Sequence, residues 1–288
     1  MDRRKFIKRG ALGAAAVAAT GGVAANNDKK DKKIGFNHIP SAKPETIKNN
    51  KMKAIIHRAN TRGHADHGWL DTHHTFSFAS YYNPERMHFG ALRVLNDDKV
   101  TGGMGFGRHP HDNMEIISIP LEGALEHQDS MGNTHTIKKN DVQVMSAGTG
   151  IFHSEKNKSN NDQVRFLQIW VFPNKKNVKP RYDQIAFDPK ERINKLQQVA
   201  SPNAEDAGVW MHQDAWFYLS DLEAGKSVSH KINKTGNGVY LFVLEGDVKV
   251  GDYELGKRDG MGIIDAESIN IETRQGTELL LMEVPMSI

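Results

Sequence analysis

The sequence predicts an all-β protein built from two barrels in tandem. Short apolar runs such as Glu115–Ile119 and Val142–Met145 are separated by Gly, Asn and Asp, which is the pattern of strands joined by tight turns. The longest alternating run of the first half, Val164–Phe172, is rich in side chains that favour strands. Many short strands with glycine turns are typical of a sandwich or a barrel, and we expect a pair of double-stranded barrels.

The second half of the chain repeats this pattern. A strand predicted over Val239–Val248 contains the sequence Leu-Glu-Gly, which also occurs at residues 121–123, and this shared turn suggests two related units. Residues 173–181 hold two prolines, four basic residues and two asparagines, so they are interpreted as the linker. The predicted domains are therefore residues 54–173 and 174–288, with one short helix expected over Lys190–Gln198.

The first 25 residues have the features of a twin-arginine export signal. Arg3 and Arg4 precede a stretch without charge, Gly10–Asn27, that is dominated by Ala and Gly and is too short for a stable membrane span. We expect cleavage after Ala25 and a periplasmic protein delivered by the twin-arginine machinery, with an uncleaved anchor or a chance basic start as the alternative. Residues 26–53, rich in Lys, Asn and Asp, are expected to form a flexible tether.

Net charge and cysteine content exclude some partners and some kinds of metal site. The formal net charge is +3, but residues 1–25 hold five basic residues and one acid, and residues 54–288 alone come to −6. Nucleic acid is therefore not an expected partner, because it requires a clustered basic surface. With no cysteine in the chain, any metal must be bound by imidazole and carboxylate.

Two pairs of side chains have the spacing of metal ligands. His109 and His111 are two residues apart, and in a strand such residues project from the same face. His153 and Glu155 have the same relation in a second predicted strand, so both pairs can reach one ion. Three imidazoles and one carboxylate suit Fe, Mn, Ni, Cu or Zn. Glu115 competes for the carboxylate position, since it follows His111 by four residues.

Several motifs of residues 57–170 resemble the pirin family. They are Thr75-Phe76-Ser77-Phe78, Tyr82-Asn83-Pro84, Met87-His88-Phe89-Gly90, the run from Arg93 to Asp98 and the two ligand segments. The resemblance implies two tandem cupin barrels, of the jelly-roll or double-stranded β-helix type, with a metal bound in the N-terminal one. It assigns His109, His111, His153 and Glu155 as ligands and leaves Glu115 as a nearby or structural carboxylate. The C-terminal half more loosely resembles the second cupin of bacterial pirin-like quercetinases and is expected to lack metal ligands.

The resemblance also implies an activity. It is that of a quercetin 2,3-dioxygenase, which would use dioxygen to cleave a flavonol or a related enol or phenolic substrate on one divalent metal. Iron(II) is the expected metal, with Mn, Ni, Cu, Co and Zn as alternatives, and Glu155, or failing that Glu115, would accept the substrate proton.

The alternative function is an exported, non-catalytic metal-binding cupin that acts as a redox sensor or a protein-binding module. A small-molecule isomerase on the same scaffold is a third possibility, since a fold does not fix a reaction. His73, His74 and His127 are interpreted as structural histidines, with a supporting position beside the metal as their alternative.

Overall fold

The structure is a computed structural model that describes residues 45–49, as backbone, and residues 52–288. Within these ranges the protein is all-β, as predicted, with two short 3-10 helices, Ala59–Thr61 and Pro189–Arg192. The described part of the chain contains no helix with the length and apolar character that crossing a membrane requires. The predicted signal peptide, residues 1–25, lies outside the described residues.

The first barrel consists of a large sheet facing a small one. The strands of this half are β3 (Gly63–Asp66), β4 (Leu70–His74), β5 (Leu92–Val100), β6 (Gly105–His111), β7 (Glu115–Glu122), β8 (Ala124–Asp129), β9 (Thr134–Lys138), β10 (Asp141–Ser146), β11 (Ile151–Asn157), β12 (Val164–Val171) and β13 (Arg181–Ala186). In the seven-stranded sheet the order is β13-β10-β7-β12-β5-β4-β3, and in the four-stranded sheet it is β6-β11-β8-β9.

The second half repeats this strand pairing. Its strands, with the two at the start of the described chain, are β1 (Glu45–Asn49), β2 (Met52–His57), β14 (Gln197–Ser201), β15 (Val209–Trp210), β16 (Trp216–Leu222), β17 (Ser227–Lys231), β18 (Asn237–Val250), β19 (Tyr253–Gly256), β20 (Gly260–Ile264), β21 (Ser268–Glu272) and β22 (Thr277–Pro285). The long strand β18 pairs with β20 and β22 and then with β19 and β21. In the first half, β7 and β8 together make the corresponding pairings.

The repeated Leu-Glu-Gly segment occupies equivalent places in the two halves. Gly123 separates β7 from β8, and Gly246 lies in β18 next to the shift in register between Val243 and Glu245. Both glycines have a positive φ, 73° and 79°. A left-handed residue at the same point of each half is a constraint that glycine meets without strain.

Each half of the chain contributes a strand to a sheet of the other half. β2 precedes the first barrel in sequence but pairs with β20 of the second sheet. β13 follows residue 173 but pairs with β10 of the first sheet. The division of the chain at residue 173 therefore stays a prediction. The second sheet takes β1 and β2 from before that position, and the seven-stranded sheet takes β13 from after it.

One apolar core joins the two halves. It contains residues of the seven-stranded sheet, such as Leu95 and Ile117, together with Phe217 and Tyr240 of the second half. At its edge the buried carboxylate of Asp97 lies 3.6 Å from Arg62 and 3.1 Å from Arg258. Because Arg258 belongs to the second half, this charge cluster also holds the halves together.

Two local predictions are corrected. Lys190–Gln198 is not a helix, because the 3-10 turn ends before Asn194, whose φ of 56° breaks the helical path, and β14 begins at Gln197. The tether predicted over residues 26–53 is wrong for its last part, because Glu45–Asn49 pair with β2. The Lys- and Asn-rich composition concealed a strand that is held by backbone hydrogen bonds; the other residues of the predicted tether up to residue 44 lie outside the described ranges.

Candidate metal centre

Three of the predicted ligands converge at one end of the first barrel. His109 and His111 project from β6, and His153 projects from the adjacent strand β11, directly opposite His109. The ring centroids lie 4.4 Å apart for His109 and His153 and 4.9 Å apart for His111 and His153. One donor atom from each ring lies within 4.8 Å of the other two, which is the spacing of a metal site. His153 is 1% exposed, whereas the two β6 histidines are partly open to solvent, so the cluster forms the mouth of the barrel.

The backbone around His109 fixes which nitrogen it offers. Its Nδ1 atom lies 2.7 Å from the carbonyl oxygen of Gly107. A carbonyl oxygen only accepts, so Nδ1 carries the proton and Nε2 keeps its lone pair. Such a hydrogen bond from the second ring nitrogen is the usual way in which proteins orient a metal-binding histidine.

Glu155 lies inside the barrel, where a carboxylate oxygen is within 4.8 Å of donor atoms of His153 and His127. The register shift of β11 between His153 and Glu155 accompanies this placement. The carboxylate accepts a hydrogen bond from the Gln168 side chain at 3.0 Å, and the Ser118 hydroxyl lies 2.8 Å from its other oxygen. These two contacts fix its orientation in an interior where it is 3% exposed.

His127 also belongs to this site, although the sequence analysis interpreted it as a structural histidine. It lies on β8 directly opposite Glu155, and its donor atom forms a second group of three with those of His153 and Glu155. Its Nε2 atom lies 3.2 Å from a carboxylate oxygen of Asp129, and its ring contacts Tyr182 of β13 at 4.7 Å. The signal was present in the sequence, since His127 and Asp129 have the same two-residue spacing as His153 and Glu155.

The buried nitrogens of this cluster lack hydrogen-bond partners. They are Nε2 of His111, Nδ1 of His127 and both ring nitrogens of His153. Buried polar atoms are nearly always satisfied, so a group of unpartnered nitrogens in one place requires an explanation. A divalent transition metal supplies one, because imidazole nitrogens and a carboxylate are its ordinary ligands. The residues present therefore fit a metal.

The electrostatics of the pocket favour neutral imidazoles. Burial, reinforced by the neighbouring His109, lowers the pKa of His111 to about 3. Burial and the surrounding histidines also hold the pKa of His153 far below its ordinary value, and burial lowers that of His109 despite its bond to Gly107. At neutral pH all three rings are neutral, and each has a nitrogen lone pair that can bind a cation. Burial raises the pKa of Glu155 to about 7, partly opposed by its bonds to Ser118 and Gln168.

Glu115 does not belong to this cluster. Along β7, Ser118 faces Glu155 in the barrel interior, whereas Glu115 and Ile117 lie on the opposite face, where Ile117 enters the core shared with the second half. The Glu115 carboxylate accepts hydrogen bonds from the Ser146 hydroxyl at 2.7 Å and from the backbone of His212 at 3.2 Å. The prediction that Glu115 could replace Glu155 as a ligand is corrected. It rested on the number of residues between His111 and Glu115, which does not show that Glu115 lies on the outer face of β7.

The turn before β11 depends on glycine. Gly148 has a φ of 50°, and a Cβ atom there would lie 2.1 Å from the carbonyl oxygen of Val178. Gly150 has a φ of 135°. This turn directs His153 into the barrel.

The interior of the second half contains a different polar cluster. His230 of β17, the strand equivalent to β6, lies 2.8 Å from Glu283. The fully buried Glu283 carboxylate also accepts hydrogen bonds from Asn233, Lys234 and Asn237. These donors saturate the carboxylate and give it a structural role.

Two family models match the chain. The one described as Pirin matches residues 55–171, and the one described as quercetinase C-terminal cupin domain matches residues 198–284. Together they cover both halves of the fold.

Relatives with known names match most of the chain. It is 44% identical to a quercetin 2,3-dioxygenase of Escherichia coli over 230 residues, 80% of this chain and 98% of that protein. It is 41% identical to a pirin-like protein of Caulobacter vibrioides over 222 residues, 77% of this chain and 95% of that one.

Solved structures give the same result. The bacterial pirin YhhW of Escherichia coli, in complex with nickel(II), superimposes with a TM-score of 0.77 at 42% identity, over 82% of this chain and all of that one. A quercetin 2,3-dioxygenase of Acinetobacter baumannii has a TM-score of 0.66 at 20% identity, over 85% of this chain and 88% of that one, which shows a common fold.

Proposed function

The chain belongs to the pirin family, and we propose that it is a metal-dependent dioxygenase that cleaves a flavonol such as quercetin, or a related enol or phenolic compound, with dioxygen. The observation that carries this proposal is the group of neutral imidazoles at the barrel mouth beside a buried carboxyl group. The names of the relatives supply the substrate class.

The bound group is one divalent transition metal. His109, His111, His153 and Glu155 would hold it, and the unpartnered nitrogens of His111 and His153 support this assignment. Iron(II) is our choice, since imidazole and carboxylate ligands with open positions are typical of oxygen-activating non-haem iron. Nickel was bound by the Escherichia coli relative, and Mn, Cu, Co and Zn would accept the same ligands.

When bound, the metal supplies a Lewis acid that favours ionisation of the substrate hydroxyl group and brings it next to dioxygen. The residues of the chain supply the proton acceptor and the shape of the pocket. Burial raises the pKa of Glu155 to about 7 in the metal-free protein. Its carboxylate is the group that would accept the proton of a phenolic or enolic hydroxyl group. Ser118 and Gln168 keep that carboxylate in one orientation, and His127 lies opposite it on β8.

The activity is tested by incubating the iron(II)-loaded full chain with quercetin in air. We expect loss of the flavonol absorbance with matching uptake of dioxygen over many turnovers. His153→Ala should abolish both, and His67→Ala, which removes an exposed histidine of the β3–β4 turn, should leave both unchanged.

No flavonol loss with iron, manganese, nickel, copper or cobalt would remove the dioxygenase assignment. If dioxygen uptake stops once the bound metal has been oxidised, the result would favour the alternative, a metal-binding redox sensor or protein-binding module.

We further propose that the protein is exported to the periplasm by the twin-arginine machinery. The support comes from the sequence alone, namely Arg3-Arg4 and the uncharged Gly10–Asn27 segment. The intact mass of protein from a periplasmic fraction tests this proposal, with cleavage after Ala25 expected. An uncleaved chain confined to the cytoplasm would contradict it.

A further inference from the structure

A second cluster of metal-binding side chains lies outside the barrel interior. It consists of His64 on β3 and Asp71 and His73 on β4, on the face of the large sheet that points away from the barrel interior. Strand alternation shows this, because Thr72 and His74 between and beside them are buried, whereas these three side chains are 32% to 49% exposed. The catalytic proposal uses none of the three.

Antiparallel pairing brings the three donors together. His64 and His73 are direct cross-strand partners, and their rings stack with centroids 4.4 Å apart and planes 22° from parallel. Asp71 precedes His73 by two residues, so it shares their face. All three donor atoms lie within 4.8 Å of one another on backbone-paired strands. Because the two rings are nearly parallel, one of them must rotate before both lone pairs point at the same ion.

The distances approach those of a coordination sphere. Two ligands, each about 2.1 Å from a metal, lie about 3.0 Å apart at a right angle and about 3.4 Å apart at a tetrahedral angle. In the structure Asp71 Oδ1 lies 2.9 Å from His64 Nε2 and 3.8 Å from His73 Nδ1. Rotation of one ring out of the stack, with the proton of His64 on Nδ1, would bring all three donors to bonding distance.

We propose that His64, Asp71 and His73 form a second binding site for a first-row divalent cation of the zinc or copper type, with water completing the coordination. Two imidazoles and one carboxylate select such ions over magnesium and calcium, which prefer oxygen ligands. Lys99 of β5 lies 3.2 Å from the other carboxylate oxygen of Asp71 and competes with the cation for this charge. Removing the histidines should therefore weaken cation binding, whereas removing the Lys99 ammonium group should strengthen it.

The test measures zinc binding to the chelator-stripped full chain by equilibrium dialysis and elemental analysis. The double variant His64→Ala, His73→Ala should bind one zinc equivalent fewer than the unaltered protein. His67→Ala, on the same turn but outside the cluster, should bind the same amount as the unaltered protein. Lys99→Met should tighten this zinc equivalent several-fold by releasing Asp71.

A second readout uses the unaltered protein and so does not depend on how any variant folds. Zinc should shift the ring resonances of both His64 and His73 in the nuclear magnetic resonance spectrum. An unchanged stoichiometry in the double variant, or His64 and His73 resonances that zinc leaves in place, would overturn the proposal. Neither readout depends on flavonol turnover, so failure of the dioxygenase assignment would leave this test intact.

Discussion

Replacing Asp98 with Asn should stabilise the metal-free protein more at pH 8 than at pH 5. Asp98 is 4% exposed, inside the first barrel, where the Thr72 hydroxyl donates a hydrogen bond to it. Burial raises its pKa from 3.8 to about 7, partly opposed by the Thr72 bond and reinforced by the charges of Asp97 and Glu155. An amide of the same shape avoids the cost of ionisation and can still accept from Thr72.

The sign follows from proton binding in the two states. Between pH 3.8 and 7 the folded protein holds the Asp98 proton and the unfolded chain has released it, so stability falls as the pH rises. Above the folded pKa both states are ionised and the loss is complete. The unaltered protein loses about 1.36 kcal/mol of stability for each pH unit between pH 5 and the folded pKa of about 7. The gain in free energy of unfolding from Asp98→Asn should therefore be about 3 kcal/mol larger at pH 8 than at pH 5.

Urea unfolding at the two pH values, in the presence of a chelator, measures this difference. Glu155 is present in both proteins, so its own titration cancels from the comparison except for its interaction with the charge of Asp98. Asp112→Asn, which alters an exposed carboxylate, serves as the matched control and should show no such difference. An equal gain at pH 5 and pH 8 for the Asp98 variant would refute the reasoning.

Three further predictions concern the metal centre and the interface. His127→Ala should weaken metal binding about 10- to 100-fold, because it removes a histidine next to two ligands; unchanged affinity in a metal titration would contradict this. Gly148→Ala should destabilise the protein by at least about 2 kcal/mol in urea unfolding, since φ is positive and Val178 lies in the way, whereas Gly107→Ala, with open space, should not. Asp97→Asn should lower the free energy of unfolding, measured in urea at pH 7, by about 3 kcal/mol, because it leaves two buried guanidinium groups without their carboxylate. A loss below about 1 kcal/mol would contradict the role given to this charge cluster.

The fold could be predicted from local pattern, but the strand exchange could not. The runs at Val164–Phe172 and Val239–Val248 are strands because alternating β-branched and aromatic residues have few other stable conformations, and the structure confirms both. The pairing of β2 with β20 and of β13 with β10 joins residues far apart in sequence. Nothing within either segment indicates which of two similar sheets it completes, so a domain boundary drawn from composition could not reveal the exchange.

The site shows the same division between local and non-local information. The two-residue spacings place His109 with His111 on one face of their strand, and the structure brings His153 to them. The spacing argument could not exclude Glu115, because the two faces of β7 are distinguished only by what packs against each. His127 was interpreted as a structural histidine because only its cross-strand pairing with Glu155, 28 residues away, places it in the metal site.

X-ray absorption spectroscopy of the full chain with one equivalent of iron(II) tests the central claim most directly. We predict scattering from three imidazoles and one carboxylate oxygen, and loss of the tightly bound iron in His153→Ala, since His153 belongs to both donor groups of the barrel. A spectrum with fewer than two imidazoles, or a His153→Ala protein that retains a full equivalent of iron, would contradict it.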